Sequence, residues 1–332
     1  EIENIVVYAR KSGCLVVFDI DDLMFDPGLA TLEQMDAIRS LHRKHSDIQA
    51  YCSRMQTTAL LSDLCLATTQ EIADGFGRLG IKCFVLPNGY SRESFWKSVE
   101  IGLNRPRDPS LIRIGYAGGT LTHQRDFALS LPAIIRILKE FPQARITIFS
   151  EVLNFSEFPE LEGLSLQIES RSMVSYLDLM YEISRFDINI APLENTDFCN
   201  AKSELKFFEA ALLRIPTVAS PAPPMTRVIS HGINGFIANS NEEWYKSLRL
   251  LVTDSTQRET IGRNAFTSVR WRFGPDERNL LVDNFLTWVQ EEFPSNFSNP
   301  GQRHFFVNPD QNMVKPTMFK TPISPFSFRK II

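Results

Sequence analysis

Residues Lys202 to Pro216 read Lys-Ser-Glu-Leu-Lys-Phe-Phe-Glu-Ala-Ala-Leu-Leu-Arg-Ile-Pro and carry more structural information than any other part of the chain. At about 100° per residue, a helix over these residues places Lys202, Lys206 and Glu209 on one narrow polar stripe. Leucine and phenylalanine side chains fall on another face, which would look inward. The terminal proline ends the helix, and residues 217–220 follow as a short apolar strand. The pattern predicts a helix and strand of an α/β domain.

The amino end of this predicted helix is a candidate site for binding an anion. Ser203 is expected to cap the first turn, and the free N–H groups there, together with Lys202 and Lys206, would bind a diphosphate. Glu209, two turns further on, would bind the vicinal hydroxyls of a ribose. A solvated face of a surface helix is the alternative interpretation of the same charges.

Length and composition narrow the class of protein. The 332 residues, 43% of them hydrophobic, are enough for two domains with separate cores. A net charge of −4 argues against a nucleic-acid binder. No apolar run approaches the roughly 20 residues of a membrane span, and no signal peptide is visible. The five cysteines lack metal-ligand spacing and are typical of reduced thiols in a cytoplasmic protein.

Helical and apolar segments alternate along the chain in two series. Apolar runs at 14–18, 64–68 and 82–86, with helical patterns between them, indicate part of one doubly wound domain. A polar, proline-containing stretch at 91–110 reads as a linker, and the alternation then restarts. We predict the following division: a partial N-terminal domain over 1–104, a C-terminal domain over 105–275, a return helix over 276–292, and a tail over 293–332 that is poorly ordered or lies on the surface.

The chain begins at Glu1 rather than at methionine, and it opens within the alternating pattern. We therefore expect it to be an excerpt of a longer polypeptide.

Several ordered motifs together resemble a known family. Over roughly residues 60–275 they are similar to the family-4 retaining glycosyltransferases of the GT-B fold. The motifs are Asn88-Gly89, Gly115-Tyr-Ala-Gly-Gly119, Lys202-Ser203 with Lys206 and Glu209, Pro216-Thr-Val-Ala-Ser220, and His231-Gly-Ile-Asn-Gly235. Three further motifs resemble those of a bacterial subgroup that builds surface polysaccharides. They are Asp19-Ile-Asp-Asp-Leu-Met-Phe25, Thr122-His123 and Phe198-Cys-Asn-Ala-Lys-Ser203.

The resemblance implies an α/β protein with two Rossmann-like domains facing a cleft, the amino-terminal one incomplete in this chain. It implies a hexosyl- or deoxyhexosyltransferase that moves a sugar from a nucleotide-diphosphate sugar to a glycan or lipid-linked acceptor, with retention. No cofactor, required metal or nucleic acid is expected. The expected location is the cytoplasm, with at most peripheral association at the inner face of the membrane.

The same resemblance assigns the site residues. The expected nucleotide-sugar ligands are Gly118, Gly119, Thr120, Lys202, Ser203, Lys206 and Glu209. The sugar hydroxyls are expected to be bound by Asn195, Asp197 or Asn200 on the same loop, because a family carboxylate is replaced there. The expected catalytic residues are Asp19, Asp21, Asp22 and His123. Two positions depart from the family pattern. Ala201 stands where family members often carry a second Glu, and the basic residue after the glycine turn is represented by His123 or Arg125.

The acidic cluster has other interpretations. Asp19 and Asp21 also resemble the nucleophile and acid–base pair of haloacid-dehalogenase-type phosphatases, although Leu23 replaces a usual Thr or Val. The cluster also resembles the Asp-x-Asp manganese site of GT-A transferases, or it is a helix cap before a turn. A non-enzymatic alternative is a degenerate GT-B module that binds without turnover, which Ala201 and the incomplete amino-terminal domain favour.

Overall fold

The computed structural model describes residues 2–104, 108–118, 122–149 and 153–296. Their strands form two parallel sheets. The first sheet has the order β1-β2-β3, with β1 at Val17–Ile20, β2 at Leu64–Ala67 and β3 at Cys83–Val85. The helices of this part of the chain are α1 (Ile2–Lys11), α2 (Asp36–Ser40), α3 (His45–Leu61), α4 (Gln70–Arg78) and α5 (Arg92–Asn104).

The second sheet has the order β6-β5-β4-β7-β8-β9, and all its neighbouring strands are parallel. Its strands are β4 (Ile112–Tyr116), β5 (Ala144–Phe149), β6 (Ile168–Arg171), β7 (Ile188–Ala191), β8 (Thr217–Ala219) and β9 (Phe236–Ile237). The direction in which successive strands are added to the sheet reverses between β4 and β7, which gives the strand order of a dinucleotide-binding domain. Ligands of such sheets bind at this reversal, outside the carboxyl ends of the strands.

Helices cover both faces of the second sheet. They are α6 (Gln124–Glu140), α7 (Tyr176–Ile183), α8 (Asp197–Asn200), α9 (Leu205–Leu212), α10 (Pro223–Val228), α11 (Asn241–Thr253) and α12 (Ser255–Arg272), followed by α13 (Pro275–Glu292). Short 3₁₀ helices lie at Pro27–Leu29, Phe155–Glu157, Pro159–Gln167 and Pro294–Asn296. The central strand β7 is buried along its whole length, because both faces of a covered parallel sheet are apolar.

Helix α13 returns to the first sheet. Phe84 of β3 contacts Phe285 and Trp288 of this helix, with ring centroids 5.4 and 5.6 Å apart. The Arg278 guanidinium donates to the carbonyl oxygen of Pro87 at 2.8 Å. Since α13 also contacts α12, the helix connects the two halves of the molecule. The domain boundaries at residues 104 and 275 stay predictions, and most of the predicted tail, from residue 297 on, lies outside the described residues.

Some predicted elements are wrong in extent. The helical pattern over 31–61, between the first two apolar runs, predicts one helix but forms two, because His42 adopts a left-handed backbone with φ of 49° between α2 and α3. The predicted linker at 91–110 contains α5, whose first turn is capped by the Ser91 hydroxyl accepting from the N–H of Ser94 at 3.0 Å. The apolar run at 14–18 is typical of a strand buried on both faces, but Val17 of β1 is 40% exposed, because β1 lies at one end of the sheet order.

The start of the lysine helix is also corrected. Helix α9 begins at Leu205 with Glu204 at its N-cap position and without a side-chain capping hydrogen bond. Lys202 and Ser203 therefore lie in the preceding loop rather than in the first helical turn. Ser203 is not the cap, because its hydroxyl accepts from the Asn88 side-chain amide at 3.1 Å.

Gly115 of β4 packs so closely against a buried ring that a larger residue there should destabilise the protein. A Cβ at Gly115 would lie 2.0 Å from Cγ of Phe186, whose ring is buried. We expect Gly115→Ala to lower the free energy of unfolding by about 3 kcal/mol, the upper end of the overpacking range. Gly77→Ala in α4, where a Cβ meets nothing within 4 Å, is the control and should raise it by about 0.5–1 kcal/mol. Equilibrium urea unfolding measures both, and equal effects would contradict this description of the core.

Candidate functional site

The candidate site lies at the carboxyl ends of β4 and β7. Gly118 lies two residues after the end of β4, and the segment from residue 192 to residue 204 connects β7 to α9. Gly119 and Thr120, which are expected to bind a diphosphate, lie outside the described residues. The described part of the site is built from the loop before α9, the first turn of α6 and the loop after β1.

The two lysines converge on this edge of the sheet. The Lys206 ammonium lies 5.6 Å from the ring centroid of Tyr116, and the Lys202 ammonium lies 4.7 Å from that of Phe198. Burial lowers the pKa of Lys206, and the charge of Lys202 lowers it further against the opposing effect of Asp126. Among the described residues, no carboxylate lies within the 4.0 Å ion-pair distance of the Lys206 ammonium. This cation is therefore placed to bind an anion.

Lys202 faces the first sheet across the boundary between the two halves. Its ammonium lies 3.5 Å from an Oδ1 of Asp22, in the loop after β1. Burial has the largest single effect and lowers the pKa of Lys202, but the charges of Asp22, Cys199 and Asp126 together outweigh it, and the pKa is raised. Asp19 lies within β1, and the carbonyl oxygen of Asp21 accepts from the Thr68 hydroxyl at 3.4 Å. Asp22 thus contacts a lysine of the site across this boundary.

His123 and Asp126 form a buried pair beside the lysines. The His123 Nδ1 lies 2.9 Å from Oδ2 of Asp126. Burial, and then the charge of Lys206, lower the pKa of His123 to about 4. Burial alone would raise the pKa of Asp126, but the hydrogen bond from His123 and the nearby positive charges lower it. The other oxygen of Asp126 accepts from the backbone N–H of Glu194 at 2.8 Å. An ionised carboxylate accepts only, so Nδ1 carries the proton.

Arg125 has a different role from His123. Its guanidinium donates to the carbonyl oxygens of Leu32 at 2.5 Å and Glu33 at 3.1 Å, and it pairs with Glu194 at 2.8 Å. The side chain is therefore engaged between the two halves of the molecule. Of the two candidates for the basic residue after the glycine turn, His123 is the one beside the lysines.

Asp36 caps helix α6 from the first half of the chain. Its Oδ2 accepts from the backbone N–H groups of Gln124 at 2.9 Å and Arg125 at 3.3 Å, while its Oδ1 accepts from Arg39 at 3.0 Å. The amino end of α6 thus already holds an anion of the protein itself. Sequence reasoning missed this residue, because a contact over 88 positions leaves no local signal.

The loop before α9 contains the expected sugar-reading residues. The Asn200 side-chain amide donates to Oδ1 of Asn195 at 2.9 Å. Ala201 is fully buried against the apolar core of the first half, and its carbonyl oxygen accepts from the Thr69 hydroxyl at 2.8 Å. The carboxylate that family members often carry at this position would have no room here.

Glu209 lies on α9 one turn beyond Lys206 and is only 8% exposed. Its charge raises the pKa of Lys206, though burial has the largest effect and lowers it. A small depression beside Glu209 is lined by Tyr90, Lys97 and Met180. The predicted order of two lysines followed by a carboxylate is therefore retained, although Lys202 precedes the helix.

In the described part of the chain, no group of three or more His, Cys, Asp or Glu side chains is arranged to hold a metal ion. This includes the environment of Asp19 and Asp21, and also His42 and His45. None of the described helices combines the length and the apolar character that crossing a membrane requires.

Solved structures show the fold. Anabaena HepE in complex with UDP and glucose superposes with a TM-score of 0.60 at 15% identity, over 86% of this chain and 75% of HepE. WaaG, a glycosyltransferase involved in lipopolysaccharide biosynthesis, gives 0.59 at 12% identity, over 80% of this chain and 74% of WaaG. The chain has the GT-B fold.

Sucrose-phosphate synthase from Thermosynechococcus elongatus also superposes, with a TM-score of 0.57 at 13% identity over 87% of this chain and 72% of that protein. Neither a protein-family model nor a curated protein matches the sequence. The predicted GT-B fold is thus confirmed, whereas membership of family 4 and of the polysaccharide subgroup stays a prediction. The alternatives that need another fold, the phosphatase and the GT-A transferase, are not favoured.

The Asp36 contacts generate a second prediction. Asp36→Asn removes a charged acceptor from two backbone N–H groups, so we expect it to lower the free energy of unfolding by about 1–3 kcal/mol. Asp47→Asn, an exposed residue in the first turn of α3, is the control and should stay within about 0.5 kcal/mol of the wild type. Thermal and urea unfolding check both variants. A loss of the same size at Asp47 would show that Asp36 has no special role.

Proposed function

We propose that this chain is a glycosyltransferase that uses a nucleoside-diphosphate sugar as donor. The observation that carries the proposal is the convergence of the Lys202 and Lys206 ammonium groups near Tyr116, the last residue of β4, at the strand reversal of the second sheet. Ligands of doubly wound sheets bind at this place, and two cations in a partly desolvated site match the charge of a diphosphate. The GT-B fold supports the same chemistry.

Each donor-site residue has a proposed task. Lys202 and Lys206 neutralise the diphosphate, and backbone N–H groups of Gly118, Gly119 and Thr120 approach its oxygens. Glu209 holds the ribose hydroxyls. Because Asn200 donates to Oδ1 of Asn195, this amide pair presents the NH₂ group of one residue and the oxygen of the other to the sugar, and Ser203 orients the loop through Asn88.

The acceptor side of the proposed reaction is the loop after β1. Asp22 is 43% exposed at its side chain and holds Lys202 through a long ion pair of 3.5 Å. When a diphosphate recruits Lys202, the Asp22 carboxylate becomes free to accept the hydrogen bond of an acceptor hydroxyl. Asp21 belongs to the same loop, and Asp19 precedes it in β1. We propose a glycan or lipid-linked acceptor, and transfer of a hexosyl or deoxyhexosyl group with retention.

The solved complexes of HepE support uridine-diphosphate donors as the first to test, since UDP and glucose are bound there. The association of WaaG with lipopolysaccharide biosynthesis supports a role in surface polysaccharide assembly. The lysines supply the positive charge at the diphosphate, so we propose that no metal is required. We propose a cytoplasmic location, at most peripheral to the inner face of the membrane.

Donor binding tests the lysine assignment. Charged hydrogen bonds contribute roughly 1.5–3 kcal/mol each, so Lys202→Met and Lys206→Met should each weaken UDP-glucose binding about tenfold or more. Lys246→Met is the matched control, because Lys246 is 71% exposed on α11, away from the site. Isothermal calorimetry with UDP-glucose, GDP-mannose and dTDP-glucose measures the affinities. Wild-type affinity in both site variants would refute the assignment.

Glu209 has its own test. Glu209→Gln should weaken UDP binding more than 2′-deoxy-UDP binding, because a buried carboxylate loses its hydroxyl partner only with the ribonucleotide. Competition calorimetry compares the two nucleotides in the wild type and the variant. Equal losses for both nucleotides would remove Glu209 from the ribose site.

Turnover separates an enzyme from a binding module, the second candidate, which Ala201 favours. Release of free nucleoside diphosphate from the bound donor, with a glycan or polyprenyl-linked acceptor mixture, is expected for the enzyme. Tight donor binding without any release, from the full polypeptide, would favour the module.

A further inference from the structure

His123 is a buried imidazole, and its Nε2 atom has no role in the donor site as described above. Its side chain is 12% exposed, and its Nδ1–H donates to Asp126. Asp126 is in turn fixed by the N–H of Glu194, so the carboxylate cannot turn away from the ring without losing a second hydrogen bond. The tautomer is thereby set, and Nε2 holds a lone pair in the neutral ring.

Charged groups of both signs surround this ring. The two lysines, Lys206 of α9 and Lys202 of the loop before α9, oppose a positive charge on the imidazole, whereas Asp126 of α6 favours one. The Asp36 carboxylate lies at the amino end of the same helix, and Asp22 pairs with Lys202. A diphosphate bound between the lysines adds two negative charges at the same place, which offset the lysine charges. Ligand binding and protonation of His123 must then favour each other.

Resting on the proposed function, we propose that His123 takes up a proton when a nucleoside-diphosphate sugar binds. The Nε2–H of the imidazolium then donates a hydrogen bond to the leaving diphosphate, while Asp126 holds the Nδ1–H. The site thereby presents three cationic donors, Lys202, Lys206 and His123, to the oxygen on which negative charge develops.

The transfer step exchanges one bond of the anomeric carbon for another. The bond between the anomeric carbon and the β-phosphate oxygen breaks, and its electron pair stays on that oxygen. The acceptor oxygen forms the new bond to the anomeric carbon, and the proton of the acceptor hydroxyl passes to a phosphate oxygen. His123 keeps its proton during the step and loses it when the nucleoside diphosphate departs.

Histidine NMR of the full chain tests the proton uptake directly. UDP-glucose is the first probe. A terminal phosphate has a second ionisation with a pKa of about 6, which would add its own proton exchange, and neither phosphate of UDP-glucose is terminal. The free protein should show a neutral His123 with a pKa of about 4. With UDP-glucose bound, the pKa should rise toward the ordinary value of about 6.5. His123→Gln assigns the signal, and exposed His231 is the internal control.

Calorimetry gives an independent readout. In buffers of different ionisation enthalpy at about pH 6, UDP-glucose binding should take up a fraction of a proton in the wild type and none in His123→Gln. Since the pKa is raised in the complex, wild-type affinity should increase several-fold as the pH falls from about 7.5 to about 5.5. The affinity of His123→Gln for UDP-glucose should not depend on pH in this way. If His123 had only a structural role, the ratio of wild-type to variant affinity would be the same at every pH. His231→Gln should behave as the wild type.

Asp126→Asn is the second variant. Asparagine keeps only one acceptor oxygen for the two N–H groups that Asp126 binds, and it lacks the charge that stabilises the imidazolium, so proton uptake should fall. UDP-glucose binding with no proton uptake and no change at His123 would overturn the inference and leave the proposed function intact. Failure of UDP-glucose, GDP-mannose and dTDP-glucose alike to bind the wild type would contradict the donor site and the inference together.

Discussion

The buried carboxylate of Asp126 is the interaction on which the candidate site depends. One oxygen accepts from His123 in the segment after β4, and the other accepts from the N–H of Glu194 in the loop after β7. Asp126 therefore ties together the two loops that diverge at the strand reversal, where doubly wound sheets bind ligands. The same charge attracts Lys202 and Lys206. One anion thus sets both the geometry of the site and its electrostatic balance.

The first half of the chain completes this site rather than merely adjoining it. Asp36 caps the helix that carries Asp126, and Asp22 meets Lys202 across the boundary between the two sheets. Burial of Ala201 in the core of the first half fixes the loop that leads to the lysines. Because both halves supply contacts, a change in the relative position of the two halves would move the lysines and the loop after β1 with respect to each other. This coupling is what a transfer reaction between two bound substrates requires.

The sequence predicts the second sheet well, because apolar residues alternate along β4 and β5 and its longer helices show clear periodicity. The spacing of Lys206 and Glu209 on one helix is likewise a local property. The position of Lys202 is not, since α9 begins at Leu205 and the lysine is placed by contacts with Asp22 and Phe198. The tasks of Asp36 and Asp126 also escape prediction, because residues far apart in the chain supply their partners, and α5 was hidden by the prolines that follow it.

The position of a bound donor tests the central claim most directly. A crystal structure of the wild-type chain with UDP-glucose should place the diphosphate within hydrogen-bond distance of both the Lys202 and Lys206 ammonium groups. The sugar should then face the loop after β1, with Asp22 released from Lys202. A diphosphate bound at another edge of the second sheet, or a donor sugar turned away from Asp22, would contradict the account.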